Sequence, residues 1–413
     1  MDSVETARRP ALWANRNFAL LWAGQFVSQV GDRFYMLAFP WLVYGATDSA
    51  LSTGIAFAIY TLPYLAFGMF AGIIIDRFDK RSVMLAAEIA RIGVVLLVPV
   101  AADYALWSVF ALSFVMASLT VLFDPAKLSL LPDIVTEGQL LRANSLLASA
   151  ETLTEVLGYA GAGFLLAAVS TTTAFRIDAG TFLVSAITLA LMSYARPVRA
   201  TERAAHSFTR ELREGFVTIR RHKGLLANTL LAVAIALGLG ATLPLTFFLA
   251  VDVLGDGGEG GILDLAIAQF GIFEAAIAIG YLTGSLIVAG LARRLPVGRA
   301  IIAGFALTGA GMAAVATAGQ VWVAAVIFAF IGAANAAGLI AIDTYVQQVV
   351  PEHIRGRVWG SRFMLTQGAY AVSVIAGGAL AGSVGVQPLF VVAGLVVAVP
   401  ALLAFLVPSL RDA

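Results

Sequence analysis

The chain contains 413 residues, of which 60% are hydrophobic and 12% are charged, and its mean hydropathy is +0.91. Because soluble domains carry about 25% charged residues, this composition excludes an ordinary soluble protein and indicates a chain that lies mostly in a lipid bilayer. The net charge of +1 argues against a nucleic-acid partner, and the absence of cysteine excludes disulfides, thiolate metal sites and thiol nucleophiles.

Twelve apolar segments follow one another along the chain, and each is long enough to cross a bilayer as a helix. A helical crossing needs about 20 mostly apolar residues. The hydrophobicity is continuous rather than alternating, which favours helices over the strands of a membrane barrel. We therefore predict an all-α membrane protein with spans at residues 17–44, 51–75, 82–101, 105–128, 143–169, 174–195, 225–251, 264–291, 298–318, 320–349, 358–382 and 386–407.

The basic residues indicate which ends of these spans share a side of the membrane. If both termini lie on one side, the 26 Lys and Arg residues all fall on that side except Arg33, Arg91 and Arg176. Cytoplasmic loops of membrane proteins carry an excess of Lys and Arg. The distribution therefore predicts that both termini are cytoplasmic.

One polar segment, residues 196–224, separates the first six spans from the last six. It has apolar residues at helical spacing on one face and arginines on the other, which favours an amphipathic helix on the inner leaflet over a solvated basic linker. The apolar residues are Phe208, Leu212, Phe216 and Ile219, and the arginines are Arg210, Arg213, Arg220 and Arg221. We accordingly predict an N-terminal bundle at residues 1–195, this linker, and a C-terminal bundle at residues 225–413.

The two sets of six spans contain a repeat. The segment TEGQLLRANSLL begins at residue 136 and PEHIRGRVWGSR begins at residue 351, and both place a Glu and then an Arg before a span rich in Gly and Ala. Two parallel repeats around a central site are typical of transporters that work by alternating access, in which the site opens first to one side of the membrane and then to the other.

The segment GIIIDRFDKR, residues 72–81, resembles the loop between the second and third spans in the major facilitator superfamily. The positions of that motif are occupied here by Gly72, Asp76, Arg77, Lys80 and Arg81. Four further stretches are similar to the bacterial drug:proton antiporters that include macrolide and siderophore exporters. They are QVGDRF in span one, FDPAKLSLLPDIV and LLRANSLL around span five, and PEHIRGRVWG before span eleven. Span five departs from the exporters, because GYAGAG at 158–163 has Tyr159 where a proline is common, and this leaves the bending of that helix open.

The resemblance implies a major facilitator fold, with twelve transmembrane helices in two pseudo-symmetric six-helix bundles. It also implies a secondary active transporter of the bacterial cytoplasmic membrane, which exports amphipathic small molecules in exchange for protons, functions as a monomer and uses no cofactor. Its partners would be the substrate, protons and the lipid bilayer. Such a protein is not an enzyme, and the sequence lacks a GxxxxGK[ST] phosphate loop, an HExxH motif and any histidine within a predicted span.

The resemblance further implies that Asp76 closes the cytoplasmic side, by capping a helix of the other half or by pairing with an arginine of an inner loop. A carboxylate at a helix N-terminus is favoured by up to ~1 kcal/mol at exposed sites, so a few such contacts can bias a two-state equilibrium. For Arg77, Lys80 and Arg81, a part in this gate and a simple topology signal are both open interpretations. Further gate candidates near the predicted inner surface are Asp124, Lys127, Asp343, Arg355 and Arg357.

Asp32 and Arg33 are adjacent charges in the middle of span one. At ~1.5 Å per residue, Asp32 lies about 22 Å along the helix, too deep for its side chain to reach the cytoplasmic face. A charge against lipid costs at least about 2.5 kcal/mol, so both side chains should face a wet cavity or partners on other spans. Since adjacent helical residues point about 100° apart, they cannot simply pair with each other. Coupling of protons to substrate and a structural ion-pair network are the two interpretations.

Three glutamates are further candidates for coupling. Glu155 lies about twelve residues into span five with Glu151 one turn earlier, and Glu274 lies about ten residues into span eight. Burial in a low-dielectric cavity favours the protonated form of a carboxylate, so such groups can take up a proton and release it when water or a cationic substrate arrives. By contrast, Glu88 and Arg91 are three residues apart in span three, which predicts a structural pair.

Two other functions stay open. A lysophospholipid flippase or another facilitator of the same fold would share these features, and so would a membrane receptor or scaffold that transports nothing. In the first case, changes in the cavity would abolish lipid transport but leave drug resistance unchanged. In the second case, Asp32→Asn would leave every transport assay unchanged.

Overall fold

The computed structural model describes residues 12–64, 66–67, 75, 78–166, 168–194, 208–253, 262–291 and 296–412. Every regular element among these residues is helical. In chain order the α-helices are α1 (Arg16–Thr47), α2 (Ala50–Ile59), α3 (Lys80–Ala102), α4 (Leu106–Ile134), α5 (Glu137–Leu166), α6 (Thr171–Ala190), α7 (Phe208–Arg221), α8 (Lys223–Phe248), α9 (Ile262–Leu291), α10 (Val297–Val315), α11 (Val321–Val349), α12 (Glu352–Val384), α13 (Val386–Leu403) and α14 (Pro408–Arg411). A π-helical turn at Leu249–Val253 extends α8.

Nine of the described helices, α3, α4, α6 and α8–α13, are long and apolar enough to cross a membrane. The helices α1 and α5 have 32 and 30 residues, but charged side chains interrupt their apolar runs. The shorter apolar helix α2 begins the predicted second span, most of whose later residues lie outside the described ranges. The described helices therefore account for each of the twelve predicted spans in whole or in part.

The helix boundaries differ most from prediction around the polar segment between the fourth and fifth spans. Helix α4 continues to Ile134 instead of ending at residue 128, and α5 begins at Glu137 instead of residue 143. Polar residues and Pro132 normally mark the end of a helix, but here the helices extend beyond the predicted spans. The limits of the spans in the bilayer stay predictions. The helix α5 is continuous through Tyr159, at the position where exporters commonly have a proline.

The helices pack as two halves. In the N-terminal half, α1 packs on α5 and α6, and α3 packs on α4 and α6. In the C-terminal half, α8 packs on α12 and α13, and α11 packs on α9 and α10. Two helix pairs supply most of the contact between the halves, α2 with α12 and α5 with α9. The domain limits at residues 195 and 225 stay predictions.

Several helix ends lie together on one side of the bundle. The Asn15 side chain donates a hydrogen bond to the carbonyl of Ile134 at 2.6 Å, so α1 begins where α4 ends. Asn17 likewise donates to Ser193, just after α6, at 2.8 Å. We call this side, which leads into α7, the α7 side, and we call the side where α1 ends at Thr47 the far side.

The predicted helix of the linker is present as α7, but part of its apolar face covers protein instead of lipid. Ile219 is 3% exposed and packs with Leu225, Val346 and Val358 at the ends of α8, α11 and α12. The side chains that precede Leu212 in α7 lie outside the described residues. The expectation that the whole stripe lies on the leaflet is therefore wrong at Ile219, because neighbouring helix ends offer apolar surface of their own.

Candidate functional site

Arg33 of α1 forms a contact with α5 in the interior of the bundle. Its Nη2 atom lies 3.4 Å from Oε1 of Glu155, and Nη1 lies 3.4 Å from the hydroxyl of Tyr159. The guanidinium also lies 5.2 Å from the centre of the Tyr159 ring, a cation–π contact. Arg33 therefore has a partner on another helix, as its depth in the span requires, whereas its coupling role stays a prediction.

Glu274 brings the C-terminal half into this group. It lies on α9, within electrostatic range of Glu155 and Arg33. Tyr370 of α12 lies within electrostatic range of Glu274. Glu151 is one turn before Glu155, is exposed, and acts electrostatically on it. We call Arg33, Glu151, Glu155 and Glu274 the interhalf cluster, since its members come from both halves.

Asp32 belongs to a different cluster from its neighbour Arg33. It is half-buried and faces Arg91 within the N-terminal half. Arg91 and Glu88 form the predicted i,i+3 pair, with Nη1 and Oε2 3.6 Å apart and both residues buried. Glu88 also accepts a hydrogen bond from Ser185 at 2.7 Å. The two adjacent charges of span one thus point into two separate groups of ionisable residues.

Asp178 is the member of this second cluster that the sequence interpretation missed. It is fully buried in α6 and lies within electrostatic range of Asp32, Arg91 and Glu88. Among the described residues its Oδ2 atom has no hydrogen-bond partner. The rule that singled out Asp32, an ionisable residue well inside a span, would also have found Asp178. We call Asp32, Glu88, Arg91 and Asp178 the N-half cluster.

The first gate candidates lie in the loop before α3. Gly72, Asp76 and Arg77 lie outside the described residues. Lys80 pairs with Asp133 of α4 and donates to the carbonyl of Ser129 at 2.6 Å. Arg81 donates to the carbonyl of Leu189 at the end of α6, at 2.6 Å. These contacts of Lys80 and Arg81 hold three helices of the N-terminal half together and do not reach the other half.

The remaining gate candidates also contact their own half or α7. Arg355 donates to the carbonyls of Gln347 and Val350, at 3.1 and 3.3 Å, and so caps the end of α11. Arg357 pairs with Glu214 of α7. Asp343 lies within electrostatic range of Arg362 on α12.

The sequence places the Asp124–Lys127 pair near the inner surface, and this depth stays a prediction. The two side chains lie 3.3 Å apart, but α4 continues ten residues beyond Asp124, or about 15 Å at the rise of an α-helix. Both residues act electrostatically on Asp32. The pair therefore lies within electrostatic range of the N-half cluster.

On the far side the two halves touch through apolar and small residues. Trp41 of α1 and Phe247 of α8 have ring centroids 4.6 Å apart. A Cβ atom added to Gly163 would lie 2.9 Å from Cα of Gly271. Only glycine permits backbones to approach so closely. This contact between α5 and α9 has a counterpart in α2 and α12, where Gly54 meets a glycine of the other half in the same way.

The chain matches the model of one protein family, described as transmembrane secretion effector, over residues 10–412. It is 26% identical to an uncharacterized MFS-type transporter, YfiS, of Bacillus subtilis, covering 94% of this chain and 92% of that protein. It is also 26% identical to the multidrug efflux pump Tap of Mycolicibacterium fortuitum, covering 96% of this chain and 95% of that protein.

Among solved structures, a transporter of the POT family in complex with a thioalcohol-conjugated peptide has the same fold. Its TM-score is 0.75 at 13% identity, and the alignment covers 95% of this chain and 96% of that one. This likeness confirms the predicted fold of two pseudo-symmetric helical bundles, and it excludes none of the substrates considered above. The chain belongs to the transmembrane secretion effector family of the major facilitator superfamily, and it is an integral membrane transporter, not an enzyme.

Proposed function

We propose that this transporter exports amphipathic small molecules in exchange for protons by alternating access. The observation that carries the proposal is the interhalf cluster, in which the pair of Arg33 and Glu155 in one half lies within electrostatic range of Glu274 in the other. A site between two halves changes its exposure when the halves rock against each other. Charged residues buried in membrane spans are costly, and they commonly mark substrate and proton pathways.

We infer that the α7 side is cytoplasmic and that both termini lie there, because the distribution of Lys and Arg supports that orientation. The contacts of the far side then support a conformation closed to the exterior. On the α7 side, two buried apolar clusters each belong to one half or to one half with α7. A cavity that opens in this direction receives substrate from the cytoplasm, as export requires.

Glu155 and Glu274 are the groups for which a proton and a cationic substrate compete. Two carboxylates near one guanidinium leave excess negative charge if both are ionised, so a proton or a cation stabilises the pair. Substrate that enters from the cytoplasm displaces the proton, and protons from outside displace the substrate after the halves have rocked. Glu151 connects this site with water on the α7 side. The membrane potential contributes ~2.3 kcal/mol per charge per 100 mV.

Aromatic and sulfur atoms beside Arg33 favour an amphipathic substrate over a small hydrophilic one. The Tyr159 ring and the Met36 sulfur, 3.6 Å from Arg33 Nη1, offer polarisable surface next to the charges. The relative Tap, a multidrug efflux pump, supports drugs as the substrate class and export as the direction. We further infer that one chain suffices for transport, because both halves of the site come from it.

Transport by the purified chain in proteoliposomes with an imposed pH gradient tests this proposal. Cationic dyes, macrolides and siderophores serve as the substrates. We expect flux that depends on the gradient in the wild type, and loss of that flux in Glu155→Gln and Asp32→Asn. Asp103→Asn is the matched control, since Asp103 is exposed after α3, and it should transport like the wild type.

Each rival function has its own outcome in this assay. Substrate flux that does not respond to the pH gradient would remove the antiport mechanism. If the wild type moves lysophospholipid but no drug, and Glu155→Gln and Asp32→Asn lose that movement, the protein is a flippase. A wild-type chain that moves none of these compounds would indicate a receptor or scaffold.

A further inference from the structure

We propose that the N-terminal half contains a second proton site, in which Asp178 and Asp32 share one proton, separate from the interhalf cluster. This inference rests on the proposed proton coupling and adds a second place where the cycle takes up a proton. It also gives Asp178 a role, although neither the family motifs nor the interhalf cluster involves this residue.

The carboxylate of Asp178 is enclosed but incompletely bonded. The residue is 0% exposed. Its Oδ1 atom lies 3.4 Å from the Thr181 hydroxyl, which also donates to the Asp178 carbonyl at 2.7 Å, whereas Oδ2 has no hydrogen-bond partner in the described part of the chain. A buried carboxylate oxygen without a donor is costly, and a bound proton removes that cost by neutralising the group.

The neighbouring cations are already engaged with other carboxylates. Arg91 pairs with Glu88 at 3.6 Å and lies between the rings of Phe123 and Phe182, 4.8 and 5.4 Å from their centres. Lys127 of α4 pairs with Asp124 at 3.3 Å.

Arg33 points away toward Glu155, at 3.4 Å. The tyrosines near the cluster are Tyr35 of α1 and, after the end of α2, Tyr60 and Tyr64. They are neutral phenols and supply no positive charge.

The balance of charge therefore leaves two carboxylates without a cation of their own. Glu88 has Arg91, and it accepts from Ser185 at 2.7 Å and from Ser28 at 3.5 Å. Asp32 and Asp178 remain, and no cation is left to pair with both. When two carboxylates share a poorly solvated site, one of them holds a proton, because two like charges cannot both be stabilised there.

The position of the two aspartates gives the proton a route and a link to transport. Asp32 is half-buried and Asp178 is fully buried, so a proton from water reaches Asp32 first. A Cβ atom added to Gly31 would lie 2.5 Å from Asp178 Oδ1, which shows how closely the α1 backbone covers this carboxylate. Asp32 also acts electrostatically on the adjacent Arg33, which links the charge of this site to the interhalf cluster.

Infrared spectroscopy of the purified wild-type chain tests the site without a substrate. A protonated carboxylic acid has a C=O stretch distinct from that of a carboxylate. In protein with ¹³C-labelled aspartate, we expect a pH-sensitive C=O band that shifts with the label, because the carboxylates of the interhalf cluster are all glutamates. Asp178→Asn should lose this band, Asp178→Glu should retain a pH-sensitive C=O band, and Ser185→Ala, which keeps every carboxylate, should leave the band unchanged.

The number of protons exchanged per substrate molecule, measured in proteoliposomes, tests the part of the second proton site in transport. We expect Asp178→Asn to exchange one proton fewer per substrate than the wild type, with Asp178→Glu restoring the ratio. A wild-type chain without any coupling would refute the proposed function, while the aspartate band would still decide whether the site exists. If the wild type is coupled but shows no labelled band, or if Asp178→Asn keeps the wild-type ratio, the second proton site is overturned. Should Asp178→Asn fail to fold, the labelled wild type alone decides.

Discussion

The far side and the α7 side of the transporter are held together in opposite ways. On the far side, one buried apolar cluster continues across both halves and includes Trp41 and Phe247. On the α7 side, Leu130 belongs to a cluster of the N-terminal half, whereas Val358 belongs to a separate cluster of the C-terminal half and α7. The polar contacts follow the same division, because Lys80, Arg81 and Arg355 bond within their own halves.

This difference indicates which contacts change during transport. Apolar contact is non-directional, so it can be made and broken without leaving a buried donor or acceptor unpaired. Breaking the ion pair of Lys80 with Asp133 would leave a buried charge, and this pair lies inside one half. We infer that the halves move as rigid bodies, in which polar contacts persist, while the apolar contact between them opens and closes.

The largest effect is expected from a side chain that separates the halves on the far side. In Gly163→Val the added Cβ would collide with the backbone of Gly271, whereas a Cβ at Gly161, two residues earlier on α5, meets no atom within 4 Å among the described residues. We expect Gly163→Val to abolish net transport, because the far side cannot close, and Gly161→Val to transport like the wild type.

The opening of the far side can be measured by labelling an introduced cysteine, because the chain contains no cysteine of its own. A single cysteine in place of Phe57, a buried residue of the apolar cluster, reports access to the far side. A membrane-impermeant maleimide should label it slowly in the parent and much faster when Gly163→Val is added. Equal labelling in the Gly163→Val and Gly161→Val backgrounds would contradict the role given to this contact.

The second largest effect is expected on stability, from an ion pair inside one half. The side chains of Lys80 and Asp133 are 14% and 4% exposed. Lys80→Met leaves the Asp133 carboxylate buried without that cation, which should lower the free energy of unfolding by about 3 kcal/mol. Lys127→Met is the matched control, since Lys127 is also 14% exposed but its partner Asp124 is 42% exposed, and it should cost well under half as much. Thermal unfolding in detergent compares the two, and equal losses would contradict the prediction.

The sequence predicts the architecture well because hydrophobicity is a local signal. Runs of apolar residues and the distribution of Lys and Arg need no knowledge of tertiary contacts, and the described helices follow them closely. The continuation of α4 beyond the predicted span was not expected, because a polar segment with Pro132 favours a loop, whereas contacts of Lys80 with Ser129 and Asp133 stabilise the last turns of α4. Those contacts join distant parts of the chain, so no local pattern indicates them.

The sites were only partly predictable, for a related reason. The depth of Asp32 and Arg33 in the span indicates that each needs a partner, but sequence does not identify Glu155 as the partner of Arg33 or separate the two clusters. That separation depends on how α1 is rotated against α5 and α6. Asp178 was within reach of the same argument, because it also lies in a span. The basic residues Arg355 and Arg357 were assigned to a gate by their position, whereas their contacts are with helix ends and α7.

A smaller effect is expected from the pair that links α1 to α5 at the interhalf cluster. Arg33 and Glu155 are 14% and 37% exposed, so solvent weakens the attraction and the coupling energy should be about 1 kcal/mol. Arg33→Gln, Glu155→Gln and the double variant form a double-mutant cycle, which isolates the coupling energy of the pair. We expect the double variant to unfold at a higher temperature than the sum of the single losses indicates, and strict additivity would argue against the pair.

The smallest effect is expected from the exposed ion pair that joins α7 to α12. Glu214 and Arg357 are 38% and 34% exposed, so Glu214→Gln should lower the free energy of unfolding by about 0.5 kcal/mol at low salt. The difference should disappear at high ionic strength, where exposed charges are screened. Thermal unfolding at two salt concentrations measures it, with Asp412→Asn as a control, because Asp412 pairs with the adjacent Arg411 and links no two helices. A loss that persisted in high salt would mean that this contact resembles the buried pair of Lys80, and α7 would then move rigidly with the C-terminal half.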